Sequence, residues 1–162
     1  MAIELVRIDD RLVHGQVVVG WVPHLHATEI VVVSEPAAKD PTQIALMRLA
    51  LPEGVLLRVL GFKDAARYLA GEEARAQRIL VLAPGPLEVL GLLDQGAAFE
   101  SVNVGGLHYT AGRIQVGRAI FLSDLDRAAL REIAARGVRL EGRAIPSERA
   151  LDILRFIGQE VR

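Results

Sequence analysis

Short unbroken apolar runs alternate along the chain with longer segments in which apolar residues recur at helical spacing. The runs IELVRI (3–8), EIVVVS (29–34), VLLRVL (55–60), RILVLA (78–83), SVNVGG (101–106) and RAIFLS (118–123) read as strands, and VRLEGRAIP (138–146) as a last one. EIVVVS is β-branched and apolar almost without interruption, which predicts burial on both faces. Between these runs, residues 15–26, 40–50, 62–71, 86–96, 123–137 and 147–157 read as helices. Asp40 ahead of Pro41 is an N-cap followed by a proline at the first helical position. Ser123 or Asp124 caps one later helix and Ser147 the last, while Gly71, Gly96 and Gly137 supply stops.

Strand followed by helix, repeated, predicts an α/β fold. It would be a single domain over residues 1–162, with an open, mostly parallel sheet covered by helices on both faces. The rhythm breaks between Gly105 and Arg118, where no helical period is present. Two strands are expected to pair antiparallel through a loop there, placing an antiparallel strand in the C-terminal half.

Composition narrows the chemistry. Hydrophobic residues are 51% of the 162 but aromatics only 4%, so the core must be aliphatic. A chain of this length can bury a sufficient core without disulfides. The absence of cysteine excludes thiol nucleophiles, thiolate-ligated zinc and disulfides. A formal net charge of −1 argues against nucleic acid as a partner. The start MAIELVRIDD carries no secretory signal, and no apolar run approaches the roughly 20 residues needed to span a bilayer. A cytoplasmic protein is the expectation, one that could still dock on a membrane protein.

The segment RIDDRLVHGQV (7–17) gathers the candidate chemistry at the carboxyl end of the first strand. In open parallel sheets ligands sit outside that edge, and VNVGG at the end of the fifth strand falls on the same edge. His14 has an intrinsic pKa near 6.5 and lies at the start of a helix, whose free N–H groups favour anions and a neutral imidazole. Arg11 offers a donor fork suited to phosphate. Asp9 or Asp10 could hold one ring nitrogen and so select which nitrogen attacks. Together these parts describe a phosphoryl acceptor. Asp10, Gly15 and Gln16 are expected to bind the phosphate, and Gly105, Gly106 and His108 to line the site. The plain alternative is that the acids cap a helix and Arg11 forms a surface ion pair. No other motif competes. The paired glycines match no dinucleotide fingerprint, and no phosphate-binding G-x-x-x-x-G-K-[ST] loop is present. His24 and His26, two apart, make a poor metal pair, so no metal site is expected. Trp21 reads as packing material, and Arg113 and Arg118 as loop arginines.

RIDDRLVHGQV, then EIVVVSEPAAKDP, then VNVGGLHYTAGR, in that order and spacing, resemble the IIB component of the mannose/fructose/sorbose family of the bacterial phosphoenolpyruvate-dependent sugar phosphotransferase system. The resemblance covers nearly the whole chain and implies an α/β fold with a mostly parallel sheet. It implies that His14, the histidine of the family's R-[IV]-D-x-R-L-x-H-G-Q segment, accepts a phosphoryl group on its δ1 nitrogen from phosphohistidine on a IIA component. The group would then pass to a sugar entering through IIC and IID membrane components. Arg11 would stabilise the phosphoryl group, with Asp9 beside the ring and no cofactor. Such a subunit would be cytoplasmic, peripherally associated with its membrane partners, and a homodimer would be in keeping with its kind. Two departures stand out: Leu107 replaces a methionine common after the paired glycines, and EGRAIPSERALDILRFI is less like typical members. A regulatory carrier phosphorylated on His14 without passing the group to sugar would carry the same residues. A hydrolase using His14 as general base would lack a paired nucleophile.

Overall fold

The computed structural model describes residues 2–157. Its strands are β1 (Ile3–Asp9), β2 (Glu29–Val33), β3 (Leu56–Leu60), β4 (Ile79–Ala83), β5 (Ser101–Gly106), β6 (Ile114–Gly117), β7 (Ile120–Leu122), β8 (Arg139–Gly142) and β9 (Leu151–Asp152). Its α-helices are α1 (Val22–Leu25), α2 (Glu35–Ala38), α3 (Pro41–Ala50), α4 (Phe62–Ala70), α5 (Glu72–Arg75), α6 (Pro86–Asp94), α7 (Asp124–Ala135) and α8 (Ile153–Ile157). Seven strands form one sheet in the order β3-β2-β4-β1-β5-β8-β9, and all its pairs are parallel except β8 with β9. β6 and β7 form a separate antiparallel hairpin. The α/β architecture is therefore the expected one, with its antiparallel pairs at the C-terminal edge and in that hairpin.

Alternation along the strands divides the core in two. Val6 and Ile8 of β1, Val31 and Val33 of β2 and Val102 and Val104 of β5 pack with Val89, Leu92, Leu130 and Ile133 from α6 and α7. Ile30, Val32, Leu80 and Leu82 point the other way and pack with Val17, Trp21, Val22 and Met47. Helices thus cover both faces, and β2 and β4 are buried along their full length. Arg7 and Asp9 alternate with Val6 and Ile8, so they enter the second layer, a polar pair in an otherwise aliphatic face.

Asp40 caps α3 by accepting from the Gln43 N–H, as the sequence indicates. Ser123, rather than Asp124, caps α7 in a reciprocal capping box with Asp126. Elsewhere the pattern misleads. The helix expected over 15–26 opens as a π-helix, Gln16–Trp21, before α1. The short α2, α5 and β6 fall in stretches that were too brief to show a period. The strand expected over 138–146 covers only Arg139–Gly142. Ser147 caps no helix: residues 143–150 form an irregular segment, Leu151–Asp152 pairs with β8, and helix begins only at Ile153. Glu148 holds that segment by accepting from the Ala144 and Ile145 N–H groups, and two of its carbonyls are taken by a buried arginine described below. Tertiary demand overrides helical period there.

Candidate functional site

β1 lies near the middle of the sheet, between β4 and β5, and delivers Asp9 at its carboxyl end. The chain then turns sharply. Leu12 N–H donates to the Asp9 carbonyl at 3.0 Å, and Leu12 adopts a left-handed conformation, φ 59°. For a non-glycine residue that conformation costs about 1–2 kcal/mol, and burial of the Leu12 side chain offsets it. The turn brings His14 back over Asp9.

The centre of the site is the Asp9 carboxylate, which is fully buried and receives five hydrogen bonds. Oδ2 accepts from Arg7 Nη2 at 3.0 Å, Arg11 Nη2 at 3.2 Å and His14 Nε2 at 2.9 Å. Oδ1 accepts from the Arg11 backbone N–H at 3.1 Å and Arg11 Nε at 3.2 Å. Burial pushes the Asp9 carboxyl up, but hydrogen bonds from His14 and Arg11 and the charge of Arg7 outweigh it and hold it well below the usual carboxylate range. An ionised carboxylate can only accept, so the proton of the neutral ring sits on Nε2. That leaves the lone pair on Nδ1, which makes no hydrogen bond among the described residues and is not sealed from solvent.

Space around the ring is open on one side. A Cβ placed on Gly15 would meet no atom within 4 Å. The N–H groups of Gly15, Gln16 and Val17, at the start of the helix, make no backbone hydrogen bond among the described residues. Gln16 Oε1 accepts from Arg11 Nη2 at 2.9 Å, so Arg11 spans from Asp9 to the exposed rim. Two guanidiniums around one carboxylate leave those three groups with a net charge of +1 beside the ring, with unpaired N–H groups nearby. That combination suits an incoming dianion.

The expected residues therefore fall into two groups. Asp9, Arg11, His14, Gly15 and Gln16 converge. Asp10 and His108 are engaged with each other instead: Asp10 accepts from the His108 N–H at 2.8 Å and contacts the His108 ring through Nδ1. Arg113 approaches the same carboxylate at 3.5 Å and donates to the His108 carbonyl. These contacts tie the loop after β5 to the turn after β1. Gly105 and Gly106 act by what they lack. A Cβ on Gly105 would lie 1.9 Å from Arg7 Cζ, and one on Gly106 would lie 3.2–3.3 Å from Arg11 and Asp9. The β1–β5 register also slips between Ile8 and Asp9, leaving Gly105 unpaired where the guanidinium passes.

Arg7 opens the R-[IV]-D-x-R-L-x-H-G-Q segment, yet the expectations from sequence give it no role. It is fully buried, and it donates to Asn103 Oδ1 at 2.6 Å, the Arg143 carbonyl at 2.9 Å and the Ala144 carbonyl at 2.9 Å as well as to Asp9. Its Cζ lies 5.1 Å from the centre of the Trp21 ring, whose Nε1 donates to the same Ala144 carbonyl. The signal was present in outline: a lone arginine inside the apolar run of a central strand must find buried acceptors. Asn103, its register partner in the next strand, is the matching oddity. No group of three or more potential metal ligands occurs among the described residues.

Residues 3–162 match the family described as "PTS system sorbose subfamily IIB component". The chain is 33% identical over 98% of its length to the mannose-specific EIIAB component of Escherichia coli K12, of which it spans about half (49%). It is 32% identical to the sorbose-specific EIIB component of Lacticaseibacillus casei, covering 98% of this chain and 97% of that one. The crystal structure of the IIBSor domain of the sorbose permease from Klebsiella pneumoniae superposes with a TM-score of 0.92 at 31% identity, covering 98% and 97% of the two chains. With family match, near-complete sequence alignment and a shared fold all spanning the same residues, the chain belongs to the sorbose subfamily of IIB components of the sugar phosphotransferase system.

Proposed function

We propose that this protein carries a phosphoryl group on Nδ1 of His14, accepting it from phosphohistidine on a IIA component and passing it to a sugar delivered by IIC and IID membrane components. The observation that carries this reading is the single hydrogen bond from His14 Nε2 to Asp9 Oδ2 at 2.9 Å. It fixes the proton on one ring nitrogen and turns the other outward as a nucleophile.

In the first half-reaction the Nδ1 lone pair attacks phosphorus in line, and the bond to the donor imidazole breaks. His14 then bears the phosphoryl group while its Nε2–H stays on Asp9, whose charge balances the ring. Arg11 and the free N–H groups of Gly15, Gln16 and Val17 receive the phosphoryl oxygens. In the second half-reaction a sugar hydroxyl attacks phosphorus, the P–N bond breaks, and the hydroxyl proton leaves to water. Asp9 and Arg11 are thus a ring orienter and a charge stabiliser. Among the described residues no helix is long and apolar enough to cross a membrane.

Phosphorylation by purified upstream components, with mass spectrometry to locate the group, tests the reading. Acid-labile, base-stable label on His14 that vanishes in His14→Ala is the expected result. Undiminished labelling of the variant would refute it. Transfer onward to sugar is tested by adding membranes containing the IIC and IID components.

A further inference from the structure

Asp9 is served by two arginines that differ in every physical respect. Arg7 is fully buried, forks between Asp9, Asn103 Oδ1 and the carbonyls of Arg143 and Ala144, and lies over Trp21. Its guanidinium has no route to solvent, so it cannot touch a phosphoryl group. The Arg11 side chain is 35% exposed, bonds Asp9 at the longer distance of 3.2 Å through both Nε and Nη2, and shares Nη2 with Gln16 at the rim. Arg11 Nη1 makes no hydrogen bond among the described residues, so Arg11 can meet an incoming phosphoryl group and then shares its charge between that group and Asp9. If it were the carboxylate's only cation, that sharing would leave a buried anion short of positive charge.

We infer that Arg7 is the positioning residue of this site: a dedicated counter-ion for Asp9 that keeps the His14 ring oriented and neutral while Arg11 also serves the phosphoryl group. The inference rests on His14 being the acceptor. Even without the Arg11 Nε and Nη2 bonds, Asp9 would keep Arg7 Nη2, the Arg11 backbone N–H and His14 Nε2. The charged groups around the pair are Arg7 and Asp9 from β1, Arg11 and His14 from the following turn, and Glu148 from the C-terminal segment, whose charge acts on Arg7. Asn103 and the two backbone carbonyls are neutral, so Arg7 is the sole buried cation in this set. Removing it would leave the imidazolium as the nearest replacement, and a protonated Nδ1 has no lone pair to attack with.

The test reads protonation rather than stability. The rate of His14 phosphorylation by phosphoramidate is followed against pH, and ring nitrogen shifts are read by 15N NMR on unphosphorylated protein. Arg7→Gln is expected to move the acid limb of the rate profile upward by about one pH unit, a tenfold loss at a fixed pH on that limb. Its 15N spectrum is expected to show imidazolium where the wild type shows the Nε2–H tautomer. Arg7→Lys, which keeps the charge, is expected to restore both. A rate that falls equally at all pH with an unchanged 15N spectrum would make Arg7 merely structural and overturn the inference. If Arg7→Gln does not fold, the rim variant Arg11→Gln decides. The inference requires slower transfer with an unshifted acid limb, and an upward shift of a full unit would give the counter-ion role to Arg11 instead. Absence of label on wild-type His14 would strike the proposed function, while the 15N measurement would still decide the role of Arg7.

Discussion

Gly105→Ala is the most incisive structural test of the buried centre. A methyl group at this position would sit 1.9 Å from Arg7 Cζ and 2.2 Å from both terminal nitrogens. Ordinary contact begins near 3.4 Å, so the guanidinium must retreat by about 1.5 Å. It is held by four hydrogen bonds of 2.6–3.0 Å, and a retreat of that size breaks at least two of them. At about 1.5–3 kcal/mol for each bond to a charged group, the loss is about 4 kcal/mol. That corresponds to a fall in Tm of about 8–16 °C for a chain of this size. Urea unfolding monitored by circular dichroism measures it. Gly15→Ala is the internal control: its Cβ meets nothing within 4 Å and its backbone, φ −51° and ψ −47°, is helical. It should be neutral or stabilising by up to about 1 kcal/mol. The collision also predicts strong coupling. In an Arg7→Ala background, Gly105→Ala should cost less than about 1 kcal/mol. A Gly105→Ala protein within 1 kcal/mol of wild type, or an undiminished penalty without Arg7, would refute the reasoning.

Two further outcomes follow from the same contacts. The folded-state pKa of Asp9 lies below its unfolded value, so its contribution to stability is complete above about pH 4 and is lost as pH falls toward the folded value. Urea midpoints should therefore hold from neutral pH to about pH 5 and then drop in acid. Asp9→Asn should show a lower plateau with a shallower acid slope, and parallel slopes would remove Asp9 as the cause. Asp10→Asn should loosen the loop after β5 without disturbing the His14–Asp9 bond. Losing about 1 kcal/mol at the His108 N–H contact raises amide exchange there about fivefold, and unchanged exchange would count against the tether.

Much of this was legible in the pattern of residues. β2 and β4 announced themselves by nearly unbroken apolar runs, because a strand buried on both faces leaves no room for alternation. Asp9, Arg11 and His14 were legible because a polar cluster at a strand's carboxyl end has few structural uses. The role of Arg7 was legible only in outline, since nothing in a local window reports that a side chain will meet carbonyls 136 and 137 residues away. The C-terminal segment failed for the same reason. SERALDILRFI has helical spacing, yet the carbonyls of Arg143 and Ala144 are drawn to Arg7, and Leu151–Asp152 is needed to pair with β8. The π-helical opening at Gln16 was hidden because valine-rich sequence has no distinct periodicity for a wider turn.

The bonds from Arg7 to the carbonyls of Arg143 and Ala144 also set a timetable for synthesis. The seventh residue leaves the ribosome first, but the groups that accept its charge arrive about 137 residues later. At cellular translation rates of about 5–20 residues per second, that delay is on the order of ten seconds. During it, β1 can pair with β4 but cannot bury its guanidinium at low energy. A nascent chain therefore lacks two of the acceptors that hold Arg7 until its last strands have been made.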